Sequence, residues 1–152
     1  KTGTVLNFPG SKQIPHEDLL ELDVEVLYPA ALENAIHSKN ASKIKARIVC
    51  ELANGPTTPE ADLILFKNGV HVIPDILGSA GGVVVSYFEM VQDKSLYFWE
   101  EEEVHKRLKK KMTLTNNKAK KQIKKKKIHP RLAAMLVGVA RVAEACKLRG
   151  WV

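Results

Sequence analysis

The sequence predicts an α/β protein in which helices cover a parallel sheet. Three apolar segments alternate with helical patterns: DVEVLYPA (23–30), RIVCELA (47–53) and VHVIPDIL (70–77). Strands separated by helices pair in parallel with right-handed crossovers. The segments are almost continuously apolar, which is typical of strands whose two faces are both covered. A chain of 152 residues is long enough to bury one core of this kind.

The first helices are predicted from capping residues and periodicity. Before the second strand, residues 16–22 are predicted to form a short helix, and residues 31–46 are mostly helical or turn-like. Thr57 or Thr58 is expected to cap a helix that begins near Pro59, since hydroxyls favour the N-cap and proline favours the first turn. Asn68-Gly69 ends this helix. Its apolar stripe consists of Ala61, Leu63, Ile64, Leu65 and Phe66.

Three further helices are predicted after the third strand. The first runs from about Val83 to Trp99, after the Gly-rich segment 78–82, and the second begins at the glutamate run 100–103. The last covers residues 131–149 and stops at Gly150. Its apolar residues recur at a spacing of three to four: Leu132, Met135, Leu136, Val139, Val142, Ala143 and Cys146.

The positive charge of the chain is confined to one segment. The net charge is +7, but residues 106–127 hold 12 of the 24 lysines and arginines and no acidic residue. The remainder carries 12 basic and 17 acidic residues, a balance of −5. The glutamates just before this segment suit a helix N-terminus and can pair with the lysines that follow.

Several classes of protein are not indicated. No apolar run reaches the roughly 20 residues that a membrane span needs, and KTGTVLNFPG (1–10) has no signal-peptide pattern. The lack of an initiator Met suggests processing or a fragment. Cys50 and Cys146 lie in apolar patterns without a CxxC or a His cluster, so we expect no metal and two buried free thiols in a reducing compartment. We expect the cytoplasm, with the mitochondrial matrix as the alternative.

Unusual residues follow each predicted strand. They are Pro29-Ala30-Ala31, Ala53-Asn54-Gly55-Pro56 and Pro74-Asp75. In an open parallel sheet, ligands bind beyond the carboxyl ends of the strands. Small residues let a flat ring or a sugar approach the backbone, and the Asn54 amide suits a carboxamide or a ribose hydroxyl. The alternative is that each segment is only an efficient turn, but three adjacent ones together favour a ligand crevice.

Four motifs closely resemble the glutamate dehydrogenases, within the Glu/Leu/Phe/Val dehydrogenase superfamily. They are PAALEN (29–34), ANGPTTPEAD (53–62), PDIL-x-x-AGGVVVSYFE (74–89) and RVAEACKLRGW (141–151). The resemblance implies a Rossmann-like parallel sheet with flanking helices, corresponding to the second half of the nucleotide-binding domain. It divides the chain into a partial NAD(P)-binding domain (1–99) and a C-terminal helical segment (100–152).

The resemblance also implies an activity and a set of site residues. The reaction is the NAD- or NADP-dependent oxidative deamination of L-glutamate to 2-oxoglutarate and ammonia. The residues expected to line the cofactor are Pro29, Ala30, Ala31, Asn34, Ala53, Asn54, Gly55 and Ser79. Val83 and Ser86 would face the substrate, with the Ser86 hydroxyl on the side-chain carboxylate of glutamate. The helix N-terminus near Ala80 would favour anionic groups.

Each of these roles has a simpler alternative. Ser86 can bond back to a carbonyl of its own helix, Val83 can belong to the core, and Asp75 can merely close the turn after Pro74. Glu33 and Asn34 can be helix-entry residues.

Two positions depart from the family pattern. Ser79 stands where we expect an Asn that reaches the nicotinamide amide, so only one contact is possible there. Met90 replaces a Trp, a change that we expect to affect only packing.

The parts of the family that carry catalysis find no match in these residues. There is no Gly-rich phosphate turn and no N-terminal substrate domain with its lysines and proton-transferring aspartate. We therefore assign no catalytic residue and expect the 152 residues alone to be inactive. The expected partners are that domain or full-length subunits, in a homo-hexamer for the complete enzyme, and no membrane.

The lysine segment supports a rival interpretation. A non-catalytic relative could use residues 106–127 to contact nucleic acid or an acidic partner. No aromatic residue lies between Trp99 and Trp151, so a stacking platform for bases is missing. We favour a solvated helix face or loop for this segment.

Overall fold

The computed structural model describes residues 3–4 and 8–151. Within them a parallel sheet contains β1 (Val26–Leu27), β2 (Ile48–Cys50) and β3 (His71–Ile73), in the order β1-β2-β3. Val26 lies opposite Ile48, and Ile48 lies opposite His71. The predicted α/β class is confirmed. The TVLNF segment (4–8) lies largely outside the described residues.

The strands are shorter than the apolar segments that predicted them, and prolines explain two of their ends. The carbonyl of Pro29 accepts hydrogen bonds from the amides of both Leu52 and Ala53, so the chain leaves the regular ladder there. Pro74 has no amide to donate. The prediction that the third strand continues to residue 77 is wrong, since Asp75 begins a helix.

The helices cover most of the remaining chain. They are α1 (His16–Leu20), α2 (Pro59–Lys67), α3 (Asp75–Gly78), α4 (Ala80–Ser95), α5 (Glu101–Lys126) and α6 (Pro130–Leu148). Residues 31–46 form turns and a single 3-10 turn at Ala41–Lys43. The predicted end of α4 at Trp99 is wrong, because Leu96 takes a left-handed conformation with φ 53° and stops the helix. The lysine segment is helical as far as Lys126, and Lys127 ends the helix in a left-handed conformation.

The main core lies between the sheet and α2. Thr58, not Thr57, caps this helix, with its Oγ1 accepting from the Ala61 amide at 3.3 Å. Leu63 and Phe66, which were predicted to belong to its buried stripe, are exposed. The buried cluster consists of Ile36, Ala41, Ile44, Ala46, Val49, Ala61, Leu65 and Val72.

The C-terminal helix meets the sheet through small residues. Ala133 and Ala134 are buried, and α6 packs against β3, α3 and α5. The predicted apolar stripe is mostly exposed instead, including Leu132, Met135 and Val139. Alanines permit a close approach of the helix to the sheet, which places the larger side chains on the other side. No helix in residues 3–4 and 8–151 combines the length and apolarity that crossing a membrane requires.

Candidate functional site

Backbone hydrogen bonds join the loops that follow the strands into one surface. The Pro29 carbonyl, after β1, accepts from Leu52 and Ala53. The Asn34 amide donates to the Gly55 carbonyl at 2.9 Å, so the loops after β1 and β2 meet a second time. The carboxyl ends of the strands therefore form a continuous edge, as the sequence led us to expect.

The predicted cofactor-facing residues present small or polar groups on this edge. Ala30, Ala31, Asn34 and Asn54 are exposed, whereas Pro29 and Ala53 are buried beneath them. Asn34 has φ 53° and lies in a turn. The alternative that Glu33 and Asn34 enter a helix is therefore wrong.

Gly55 holds the loop after β2 in a conformation that suits glycine. Its φ is 55°, in the left-handed region, and a Cβ built there would meet no heavy atom within 4 Å. The space beside this backbone is therefore open, and it would admit a flat ligand.

Asp75 does more than close a turn. Its Oδ2 accepts from the Gly55 amide at 2.9 Å, and its Oδ1 accepts from the Ile76 amide at 2.8 Å. The Asp75 amide donates to Oε2 of Glu51 at 2.8 Å. One side chain thus links the start of α3 to the loop after β2.

A guanidinium from α6 holds three carboxylates beneath this edge. Arg131 donates from Nη2 and Nη1 to the two oxygens of Glu51 at 2.6 and 3.1 Å. Its Nε donates to Oδ2 of Asp62 at 3.1 Å, and Nη1 also donates to Oδ1 of Asp75 at 3.2 Å. The Glu51 side chain is 0% exposed, and that of Arg131 is 18% exposed. We call Arg131, Glu51, Asp62 and Asp75 the arginine cluster.

The surroundings keep Arg131 charged. Burial alone would lower the pKa of its guanidinium, but the hydrogen bonds that Arg131 donates to Glu51 and Asp62, together with the negative charges of these carboxylates, raise this pKa well above its usual value. A charge-assisted, two-pronged arginine–carboxylate pair is among the strongest hydrogen-bonded arrangements in proteins. Arg131 therefore stays protonated, and the arginine cluster is a structural anchor.

His129 extends the cluster at the start of α6. Its Nδ1 lies 3.2 Å from Oδ2 of Asp62, and its ring lies against that of Phe66 with 6.1 Å between centroids. The Nδ1 atom is buried and makes no well-oriented hydrogen bond within the described chain. Within residues 3–4 and 8–151, no group of His, Cys, Asp or Glu side chains could hold a metal ion.

The predicted substrate residues lie on α4. Val83 and Ser86 are three residues apart, which places them on one side of the helix, and both are exposed, Val83 by 75%. Among the described residues no hydrogen bond ties the Ser86 hydroxyl to its own helix or to the strand-end loops. Ser79 differs, because its hydroxyl donates to the Asp75 carbonyl at 2.7 Å. The single hydroxyl proton of Ser79 is therefore engaged in this hydrogen bond.

A groove elsewhere does not belong to this site. It has a volume of about 540 Å³ and lies at the opposite edge of the sheet, beside Glu25, Arg47 and His71. These residues are at the amino ends of the strands. Ligands of open α/β sheets bind beyond the carboxyl ends, so the edge that carries Asn54 and Gly55 is the candidate functional site.

Sequence reasoning missed Glu51, Asp62 and Arg131. A signal was present, since Glu51 interrupts the apolar segment RIVCELA and Arg131 directly precedes the apolar run 132–140. A charge inside such a pattern requires a partner when the segment is buried. The partner could not be identified, because Glu51 and Arg131 are 80 residues apart.

Comparison with known proteins identifies the family. The sequence model of the Glutamate/Leucine/Phenylalanine/Valine dehydrogenase family matches residues 1–150. The chain is 52% identical to a glutamate dehydrogenase of Thermotoga maritima over 148 residues, which cover 97% of this chain and 36% of the relative. It is 48% identical to an NAD-specific glutamate dehydrogenase of Staphylococcus aureus, with coverage of 98% and 36%. The chain thus spans about a third of the length of these relatives.

Solved structures agree with this assignment. The glutamate dehydrogenase of Peptoniphilus asaccharolyticus matches with a TM-score of 0.78 and 41% identity, over 82% of this chain and 32% of that one. The hetero-hexameric glutamate dehydrogenase of Thermus thermophilus, in a leucine-bound form, matches with a TM-score of 0.84 and 34% identity, over 88% and 32%. The chain therefore belongs to the Glu/Leu/Phe/Val dehydrogenase family.

Proposed function

We propose that these residues form the cofactor and substrate wall of a glutamate dehydrogenase. The observation that carries the proposal is the surface made by the three strand-end loops, in a chain whose curated relatives are glutamate dehydrogenases. The chain spans about a third of those relatives, so the activity is proposed for the complete protein. Residues 1–99 would supply the cofactor wall, and residues 100–152 the C-terminal helices.

The strand-end surface fits a nicotinamide cofactor. Ala30, Ala31 and Gly55 offer little side-chain bulk, and the exposed Asn54 amide offers donors and an acceptor to a ribose or carboxamide group. The loops would orient a flat ring against this backbone and keep it beside α4. NAD or NADP would supply the hydride-accepting group, and the name of the Staphylococcus aureus relative favours NAD.

The exposed side of α4 suits glutamate. The Ser86 hydroxyl is available to donate to the side-chain carboxylate, and Val83 would pack on the aliphatic part of the substrate. The amides of the first turn of α4 would favour the negative charge. The α-carbon of glutamate would lose a hydride, and hydrolysis of the resulting iminium would give 2-oxoglutarate and ammonia.

Two further proposals concern the complete protein. We propose a hexamer, since the Thermus thermophilus relative is hetero-hexameric. We propose the cytoplasm as its compartment, because Cys50 and Cys146 are free thiols and suit a reducing environment.

The experiment is a steady-state comparison in the complete native polypeptide that carries these residues. Ser86→Ala should raise the KM for glutamate about tenfold or more, since a hydrogen bond to a carboxylate is lost, and should leave the KM for NAD nearly unchanged. Ser95→Ala is the matched control, because Ser95 is on the same helix and its hydroxyl donates to the Gln92 carbonyl. The proposed function would be overturned if the parent protein failed to reduce NAD or NADP in the presence of glutamate.

A further inference from the structure

The arginine cluster connects the C-terminal helix to the loops proposed to face the cofactor. Arg131 donates to Oδ1 of Asp75, and Oδ2 of the same carboxylate accepts from the Gly55 amide. The Gly55 carbonyl then accepts from the Asn34 amide. Three consecutive hydrogen bonds therefore lead from α6, through the first residue of α3, to the loops after β2 and β1.

A second path through Glu51 fixes the same aspartate. Oε2 of Glu51 accepts from both the Asp75 amide and Nη1 of Arg131. Asp75 is thus held by its backbone and its side chain, and both contacts lead to one guanidinium. The Asp62 carboxylate engages Nε, which fixes the rotation of the guanidinium plane.

The arrangement requires the shape of arginine. Arg131 uses Nε, Nη1 and Nη2 on three carboxylates that approach from different elements. A lysine ammonium is a compact charge on a flexible stem and lacks the planar fork. It could pair with Glu51 but could not hold Asp75 and Asp62 in the same geometry.

We propose that Arg131 is a positioning residue, which sets the conformation of the Gly55 loop, and therefore the affinity for the nicotinamide cofactor, from the C-terminal helix. This inference rests on the proposed function, because it takes the Gly55 loop to be the cofactor wall. Arg131 itself lies beneath the loops, half-buried, and acts through Asp75.

The test measures cofactor affinity in the complete native polypeptide. Binding of NADH or NADPH is followed by nucleotide fluorescence, at a temperature where circular dichroism shows each variant folded. Arg131→Met should raise the Kd about tenfold, and Arg131→Lys should give a smaller increase. Arg141→Met is the matched control, since Arg141 is exposed on the same helix, and its Kd should stay within about twofold of the parent.

A double-variant comparison tests whether the effect passes through Asp75. If it does, Asp75→Asn combined with Arg131→Met should raise the Kd no more than the larger single effect, whereas independent effects would multiply. If Arg131→Met does not fold, Arg131→Lys and its combination with Asp75→Asn carry the same comparison.

The outcomes separate this inference from the proposed function. A parent protein that binds neither nucleotide would overturn both. A parent that binds, together with folded Arg131 variants of unchanged Kd, would overturn only the positioning role. If the Arg131 variants were less stable but bound the nucleotide with unchanged Kd, Arg131 would be solely an anchor of α6. That outcome would also overturn the positioning role.

Discussion

Glu51 lies at the end of β2 with its side chain fully buried, between an apolar strand and the guanidinium of Arg131. Both of its oxygens accept from that guanidinium. In such a pair the cost of burying each charge is offset only while both partners are present. The exposed pair between Arg47 and Glu25, at 3.2 Å, has water as an alternative partner for both groups.

The two pairs should therefore respond differently to the same substitution. Glu51→Gln is expected to lower the free energy of unfolding by about 3 kcal/mol, because it leaves Arg131 short of one charged acceptor. Glu25→Gln, the matched control, should change it by less than about 0.5 kcal/mol. Urea denaturation of the parent and both variants measures the difference, and equal losses would contradict the assigned role of Glu51.

Cys50 adds a dependence on alkaline pH. Burial, and next the negative charge of Glu51, raise the pKa of its thiol above the usual value. The folded state therefore favours the neutral thiol more than the unfolded state does. This contribution to stability is complete below the pKa of the unfolded thiol and is lost as pH rises through the higher pKa of the folded protein.

We expect the free energy of unfolding to fall as pH rises above about 8.5, the usual thiol pKa. Cys50→Ala should reduce that slope, because the alanine cannot ionise. Denaturation midpoints of the parent and Cys50→Ala across this range measure the effect. Identical slopes for the two proteins would show that the raised thiol pKa contributes nothing to stability.

The sequence predicted a set of candidate site residues and missed the charged residues beneath them. Asn54 and Gly55 were proposed because turn-forming residues after an apolar segment mark a strand end. The partnership of Asp62 and Arg131 joins residues 69 positions apart, which no local pattern can reveal. The roles of Val83 and Ser86 in binding substrate stay predictions.

At the scale of elements, α3 packs unusually close to β2. A Cβ added at Gly78 would overlap with the backbone carbonyl oxygen of Glu51. Both groups are held by backbone, so neither can move aside as a flexible side chain would. The absence of a side chain at Gly78, the last residue of α3, is what lets this helix end against the Glu51 backbone.

Alanine substitutions at two helical glycines test this contact. Gly78→Ala should lower the free energy of unfolding by about 2 kcal/mol, because the methyl group forces α3 away from β2. Gly138→Ala in α6, where a Cβ would meet no atom within 4 Å, should raise it by about 0.5 kcal/mol or more through helix propensity. Thermal or urea unfolding of both variants measures the contrast, and a loss at Gly138 equal to that at Gly78 would refute the explanation.

Element boundaries were predicted well where local chemistry sets them. The start of α2 follows from a capping threonine and a proline, and the start of α5 from the glutamate run. The buried side of α6 was not predicted, because it depends on which residues meet a sheet formed by distant segments. Its apolar periodicity indicated a helix but pointed to the wrong face, and Ala133 and Ala134 are buried instead.

At the scale of the whole molecule, charge is strongly segregated. The 12 basic residues of 106–127 lie on α5 and the residue that follows it, while the rest of the chain has a balance of −5. Lysines that are four residues apart, such as Lys120 and Lys124, are neighbours on the helix surface and repel one another. The glutamates at the start of α5 and the lysines at its end both suit the helix dipole, which favours the continuous helix.

This repulsion should make stability rise with salt. Between about 0.05 and 0.5 M NaCl the Tm should increase, because screening weakens the repulsion between lysines. Lys121→Glu should reduce this increase, since it replaces a repelling charge with one that attracts Lys125. Lys39→Glu, which changes the net charge equally but lies in an exposed turn, should retain it. If the Tm of the parent did not depend on salt, repulsion between the lysines would contribute little to the stability of the protein.

The fold class and the family could be read from the sequence because they depend on patterns repeated along the whole chain. Apolar strand segments at regular intervals predict the parallel sheet, and the four motifs extend from residue 29 to residue 151. The arginine cluster could not be predicted from the sequence, because it depends on the geometry of four elements that meet only after folding.

The sequence separation within the arginine cluster also has a consequence for protein synthesis. Arg131 follows Asp75 by 56 residues and Glu51 by 80. At cellular rates of translation the ribosome adds the intervening residues in several seconds, on the order of 3 to 16 s. Glu51, Asp62 and Asp75 are therefore synthesised well before Arg131, their counter-charge. The carboxyl edge of the sheet can adopt its final arrangement only after α6 has been made.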